Sequence, residues 1–116
     1  MERRRYDRIR VRYSTAFLGR SYRASGTVVG LSLLGCRALA GFLIHPDEWL
    51  GLRILVPGDE PPIYVARAEV RWFEEQEVGM EFVNMEWQDR QRLSSMIRAM
   101  EGALDWRSAG PQTRIK

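Results

Sequence analysis

Apolar and polar residues alternate over most of this chain, and the alternation gives way to a three- and four-residue spacing only near its end. Arg8-Ile9-Arg10-Val11-Arg12-Tyr13 has period two, which places successive side chains on opposite faces of a strand. This predicts a first strand over about Arg8 to Leu18, with Ile9, Val11, Tyr13, Thr15 and Phe17 inward and Arg8, Arg10 and Arg12 on the other face. Gly19-Arg20 turns the chain into a second strand that resumes near Tyr22. Its Ser25, Thr27, Val28 and Val29 suit a pleated surface, and Gly26 marks a bulge or close packing. A turn at Ser32–Gly35 leads into a third short strand. Gly35 is expected to supply the left-handed backbone conformation that such a turn often requires. After a connection over Gly41 to Glu48, the pattern predicts a fourth strand from Trp49 to Val56 and a loop at Pro57-Gly58-Asp59-Glu60-Pro61-Pro62. The fifth strand, Ile63 to Phe73, is the longest, with Tyr64, Ala66, Ala68, Val70 and Trp72 on one face and Arg67, Glu69 and Arg71 on the other. A hairpin turn at Glu74-Glu75-Gln76 leads to a sixth, where Val78, Met80 and Phe82 alternate with Glu77, Gly79 and Glu81.

Beyond Asn84, read as an N-cap, Leu93, Met96, Ile97, Met100 and Leu104 recur at helical spacing, which predicts a helix over about Met85 to Met100 or a little further, with Gly102 near its end. Six strands joined by short hairpins, then one helix, define the fold class: all-β with a C-terminal helix, as a six-stranded antiparallel β-barrel, closed or partly closed, flanked by one α-helix. Closure removes the exposed edges that so many short strands would otherwise present. At 116 residues the chain is one domain. It divides into a flexible arginine-rich arm over 1–7, the barrel and helix over 8–106, and a disordered tail over 107–116.

Charge adds an asymmetry. Arg3-Arg4-Arg5-Tyr6-Asp7-Arg8-Ile9-Arg10-Val11-Arg12 holds six arginines in ten residues, whereas Lys116 is the only lysine in the chain. Residues 1–23 carry eight arginines against Glu2 and Asp7, so this end is at +6 and the remainder at −3. Arginine forks onto phosphate and stacks on flat rings where lysine is a point charge. A basic end on a mildly acidic body suits a locally bound anion, or else is a solvated tail.

The chemistry of other classes lacks parts. One His and one Cys give no metal cluster of recognised spacing, and Cys36 with His45 lacks an evident orienting partner for nucleophilic catalysis. No phosphate-loop or dinucleotide fingerprint occurs. A single cysteine gives no disulfide framework and fits a reducing compartment. The apolar stretch Val28 to Ile44 is broken by Arg37 and glycines and is shorter than a bilayer span, so no membrane insertion is expected.

Two short segments narrow the reading. Arg4-Arg5-Tyr6-Asp7-Arg8 fits an RRxxR motif, and Gly30-Leu31-Ser32-Leu33-Leu34-Gly35 fits (D/N)xSxxG except at its first position. In this order and spacing they resemble the PilZ domain, a bacterial receptor module for cyclic di-GMP. Ala68-Glu69-Val70-Arg71-Trp72 and Val78-Gly79-Met80-Glu81-Phe82 are similar to that family's late hairpin. The resemblance implies a six-stranded barrel with a flanking helix, no catalysis and no cofactor. It also implies a cyclic di-GMP site made of Arg4, Arg5, Arg8, Gly30, Ser32, Gly35 and Trp72. Ser32 is either a turn residue or a ligand contact, and Trp72 either packs at the core or rim or flanks a base. Glycine at position 30 has no side chain with which to accept from a guanine or orient an arginine. The implied setting is cytoplasmic, with an effector protein as partner and no DNA. The competing expectations are an adaptor of the same fold that has lost nucleotide binding and works by protein contacts, and a small RNA-binding barrel.

Overall fold

Five of the six strands owe their inner face to a single lateral row of apolar residues, Ile9, Leu31, Cys36, Met80 and Val70, which face one another in register across the wall. All five are 0–2% exposed. The computed structural model describes residues 9–58 and 60–109, with side chains as far as Glu101. The strands are β1 (Ile9–Leu18), β2 (Arg23–Leu31), β3 (Gly35–Ala40), β4 (Trp49–Ile54), β5 (Ile63–Glu74) and β6 (Glu77–Asn84), and α1 is Trp87–Ala109. They close into an antiparallel barrel in the order β1-β2-β3-β6-β5-β4, with β4 returning to β1 through Thr15↔Ile54 to Leu18↔Gly51. The six-stranded barrel with one C-terminal helix read from the pattern is therefore what the chain forms. Every strand in a closed barrel has two neighbours, so no edge is left to template association.

Phe17, Val28, Leu50, Leu52, Ile63 and Val78 fill the rest of the interior. Thr15 is the polar exception on the inner face of β1, 3% exposed, and its hydroxyl donates to the Arg53 carbonyl at 3.1 Å. Gly26 answers to close packing, because a Cβ there would lie 2.3 Å from the Leu39 carbonyl oxygen and 2.4 Å from the Phe17 ring. Glu75 and Gln76 have φ of 51° and 69°, so the β5–β6 hairpin closes through two left-handed residues in the turn type whose twist matches the strands.

The helix lays Leu93 and Ile97 into the core, with Met96 and Met100 packed beside them. It is fastened by Tyr64 N–H donating to Asp89 at 3.1 Å and by Arg92 donating to the carbonyls of Pro61 and Pro62 at 2.6 and 3.0 Å. Its start differs from expectation. Asn84 remains in β6, paired with Arg67, and the first helical turn is closed by Arg90 N–H on the Glu86 carbonyl at 3.0 Å. Glu86, not Asn84, is thus the capping position. The helix also runs through Gly102 to Ala109, three residues into the stretch read as tail.

The fifth strand is not a single alternating ribbon. Tyr64 is 48% exposed and Ala66 is exposed, while Ile63 and Val65 point inward, the reverse of the expected facing. Register shifts at Leu50/Leu52 against β4 and at Arg67/Ala68 and Val70/Trp72 against β6 are the cause. A bulge sets two residues opposite one and so inverts the phase of everything beyond it.

Candidate functional site

One residue along from the apolar row runs a second row on the outside of the same five strands. Arg10 faces Gly30, Gly30 faces Arg37, Arg37 faces Gly79, and Gly79 faces Trp72. Directly paired residues share a face, with Cβ atoms about 4.5–5.5 Å apart. The outer wall therefore presents two guanidinium groups and an indole, separated by positions without side chains.

Bulges assemble this row. Val29 is the extra residue between Val28↔Ala38 and Gly30↔Arg37, and Arg71 is the extra residue between Val70↔Met80 and Trp72↔Gly79. The second bulge carries Trp72 off the inner face, where the sequence pattern had grouped it with Val70. Its indole lies over Gly79, since a Cβ at Gly79 would fall 2.2 Å from Trp72 Cε2. Trp72 is consequently a half-buried side chain of the outer wall and not a core residue.

Ser32 and Gly35 stand beside this row in the β2–β3 turn. Ser32 N–H donates to the Gly35 carbonyl at 2.9 Å, and its Oγ accepts from Leu34 N–H at 3.1 Å and Gly35 N–H at 3.2 Å. The serine is 2% exposed, so its hydroxyl is occupied in shaping the turn. Gly35 begins β3, paired with Glu81. Among the described residues positive φ occurs at Asp47, Gly58, Glu75 and Gln76, so the expected left-handed conformation at Gly35 is not what the turn uses. Gly30 lies outside the left-handed region too. Arg4, Arg5 and Arg8 lie outside the described residues.

The arginines of the wall differ in their electrostatic surroundings. Arg71 pairs with Glu81 and reaches Glu69 at 3.5 Å, and Arg67 pairs with Glu69 at 2.8 Å while lying 5.1 Å over the Trp49 ring. Arg37 pairs with Glu77, and this pair is the more enclosed, with side chains 21% and 28% exposed. Arg10 and Arg12 are exposed and make no ion pair among the described residues. Sequence reasoning placed Arg10 outward without assigning it to the site, and missed Arg37 and Glu77. The alternation Cys36-in, Arg37-out was a usable signal, but the glycines beside Arg37 become its neighbours only through strand register.

Other chemistry is located away from this wall. Burial pushes the Cys36 thiol up to about 12, and the side chain belongs to the core row, while His45 is exposed in the β3–β4 connection. Burial and then the Glu48 carboxylate, which accepts the phenol's hydrogen bond at 3.0 Å, raise Tyr22 to about 12. Among the described residues no group of His, Cys, Asp and Glu is arranged to hold a metal ion. Among the described residues no helix is long and apolar enough to cross a membrane. Two grooves, of about 420 Å³ between α1 and the 57–62 loop and about 540 Å³ beside Trp49 and Tyr64, include no motif residue.

The comparisons with known proteins bear on the family and the fold. The PilZ domain model matches residues 2–99. The structure of Bacillus subtilis inhibitor of motility (MotI/DgrA) superimposes with a TM-score of 0.64 at 19% identity, over 81% of this chain and 49% of that one. The chain therefore spans about half the length of that protein. The crystal structure of the PilZ domain of CeSA from a cellulose-synthesizing bacterium matches with a TM-score of 0.60 at 13% identity, over 82% of this chain and 95% of that one. At these identities the two structures speak for the fold. Among curated proteins, none matches the sequence.

Proposed function

This chain belongs to the PilZ domain family, and we propose that it is a cyclic di-GMP receptor that passes ligand occupancy to a partner protein. The observation that carries the reading is the register of β1 on β2. Ile9 faces Leu31 and Arg10 faces Gly30, so the strand that directly follows the arginine motif in sequence begins beside the Gly30–Gly35 motif, although more than twenty residues separate the two motifs. The ligand has two phosphates and two guanines. Arg4 and Arg8, with Arg5 in support, are proposed to close on it, forking onto phosphate or onto guanine O6 and N7. Gly30, Gly35 and the turn that Ser32 builds form the opposing surface, and Trp72 offers a flat ring at its far end. Ordering of the arm on the nucleotide is proposed to change the exposed surface and so to serve as the output. The partner would belong to motility, biofilm or polysaccharide control, in the cytoplasm, and the protein would do no chemistry on its ligand.

Gly30 favours a second reading, an adaptor of the same fold that works by protein contacts without nucleotide. Calorimetric titration with cyclic di-GMP, and separately with a short RNA, separates these readings from each other and from an RNA-binding barrel. Arg4→Ala or Arg8→Ala is expected to weaken nucleotide binding by roughly 30- to 150-fold, the loss of about 2–3 kcal/mol from a charge-assisted bidentate contact. Arg114→Ala, near the other end of the chain, is expected to leave it unchanged. Equal losses from both ends would mean non-specific charge attraction and would overturn the receptor reading.

A further inference from the structure

The pair Arg37–Glu77 is not accounted for by either motif. Arg37 sits in the centre of the outer row, in direct register with Gly30 on one side and Gly79 on the other. Neither neighbour has a side chain to crowd it. Glu77, in the next outward row of β6, holds one edge of its guanidinium through NH1. The Nε of Arg37 is buried against the wall. A guanidinium paired through NH1 and buried at its Nε has lost rotational freedom but keeps a planar face, and about a fifth of the Arg37 side chain remains exposed. The Trp72 indole covers Gly79, the next position in the row, so the two flat groups belong to one continuous stretch of wall.

We propose that Arg37 and Glu77 form a base-stacking clamp: Arg37 receives the face of a guanine of the bound nucleotide, and Glu77 is the positioning residue that holds its plane. This rests on the nucleotide reading given above and adds to it a contact that the two motifs do not contain. The acid matters for a physical reason. An arginine without a partner spreads over many rotamers, and ordering it on binding costs entropy that a preset arginine has already given up. Glu77 also takes up part of the charge of a wall that carries Arg10 and Arg12 nearby, which leaves Arg37 to act through its plane more than through net attraction.

The test compares calorimetric affinities for cyclic di-GMP of the wild type, Arg37→Ala, Arg37→Lys, Glu77→Gln and Arg98→Ala, the last an exposed helix residue bonded to Ser94. Thermal melts of each variant check that it is folded. Arg37→Lys is the discriminating change, since it keeps the charge and removes the plane. Arg37→Ala and Arg37→Lys are expected to lose about tenfold or more in affinity and to lie within about threefold of each other. Glu77→Gln is expected to lose a smaller factor, about three- to tenfold, and Arg98→Ala none. If the wild type binds and Arg37→Lys retains its affinity, Arg37 acts as a charge or not at all, and the clamp is wrong. If Arg37→Ala is weak but Glu77→Gln is unaffected, the positioning role of Glu77 is wrong. Absence of binding by the wild type removes the nucleotide reading itself, and the clamp with it.

Discussion

Two rows of side chains on the same five strands, one residue apart, do opposite work. The inner row, Ile9, Leu31, Cys36, Met80 and Val70, is wholly apolar and 0–2% exposed. The outer row, Arg10, Gly30, Arg37, Gly79 and Trp72, holds two charges, two glycines and an indole. Burial of apolar surface is non-directional, so the inner row needs only residues of suitable size. Recognition of a nucleotide, the role proposed for the outer row, is directional and would need particular groups at particular separations. The backbone supplies the separations: because the wall is well packed underneath, the distances between strands are fixed before any ligand arrives.

The largest expected effect tests that division directly. Met80→Ala is expected to destabilise the fold by about 2–5 kcal/mol, as large-to-small changes in a close-packed interior do. Arg10→Ala, three strands away in the neighbouring row, is expected to stay within about 0.5 kcal/mol. Urea unfolding of both variants reads the difference. Comparable losses would show that the outer row is structural as well, and would weaken the case that it serves a ligand.

A change at Gly79 sharpens the comparison, since it is an outer position whose occupant is decided by packing. Gly79→Ala places a methyl where the Trp72 indole now lies, 2.2 Å from its Cε2, and the ring has to move. The expected loss is about 1–3 kcal/mol, typical of overpacking. In a Trp72→Ala background the same substitution is expected to cost much less, and a double-mutant cycle by urea unfolding measures that coupling. Additive losses would mean that the indole is not what excludes a side chain at position 79.

The smallest effect concerns Gly30, the one departure from the second motif. Its backbone is outside the left-handed region, so an L side chain meets no φ penalty there, and its direct neighbours on both sides are arginines. Gly30→Asn and Gly30→Asp are each expected to tighten cyclic di-GMP binding by about 1 kcal/mol, the value of one restored hydrogen bond. Calorimetry gives the affinities, and melting temperatures show whether each variant is folded. Two folded variants with wild-type affinity would place the acceptor position of the motif elsewhere.

The sequence and the structure agree most where one physical rule acts alone. Ile9, Val11, Tyr13, Thr15 and Phe17 were legible as the inner face of β1 because burial keeps alternating along it, even across the register shift between Arg10 and Tyr13. The Ser32–Gly35 turn was legible from a serine and a glycine three apart, although the glycine proves to be a strand residue and the serine hydroxyl is spent on the turn. On β5 the same rule misplaced Tyr64, Ala66 and Trp72. Alternation has no memory of a bulge, and three register shifts fall along that strand. Asn84 is as good a cap by type as any residue in the chain, yet Glu86 takes the position because β6 keeps its hydrogen bonds as far as Asn84.

What the sequence determined by itself was the barrel class, the helix that follows it, the inner face of its unbroken strands and the two motifs that mark the family. Each of these rests on local periodicity or on a short run of residues. Only the tertiary structure decided that Gly30, Arg37, Gly79 and Trp72 are neighbours, that Trp72 is on the outside, and that Glu77 holds Arg37. Those facts depend on strand register, which is set by bulges and by the collective packing of the interior, and a one-residue slip in either would exchange the two rows.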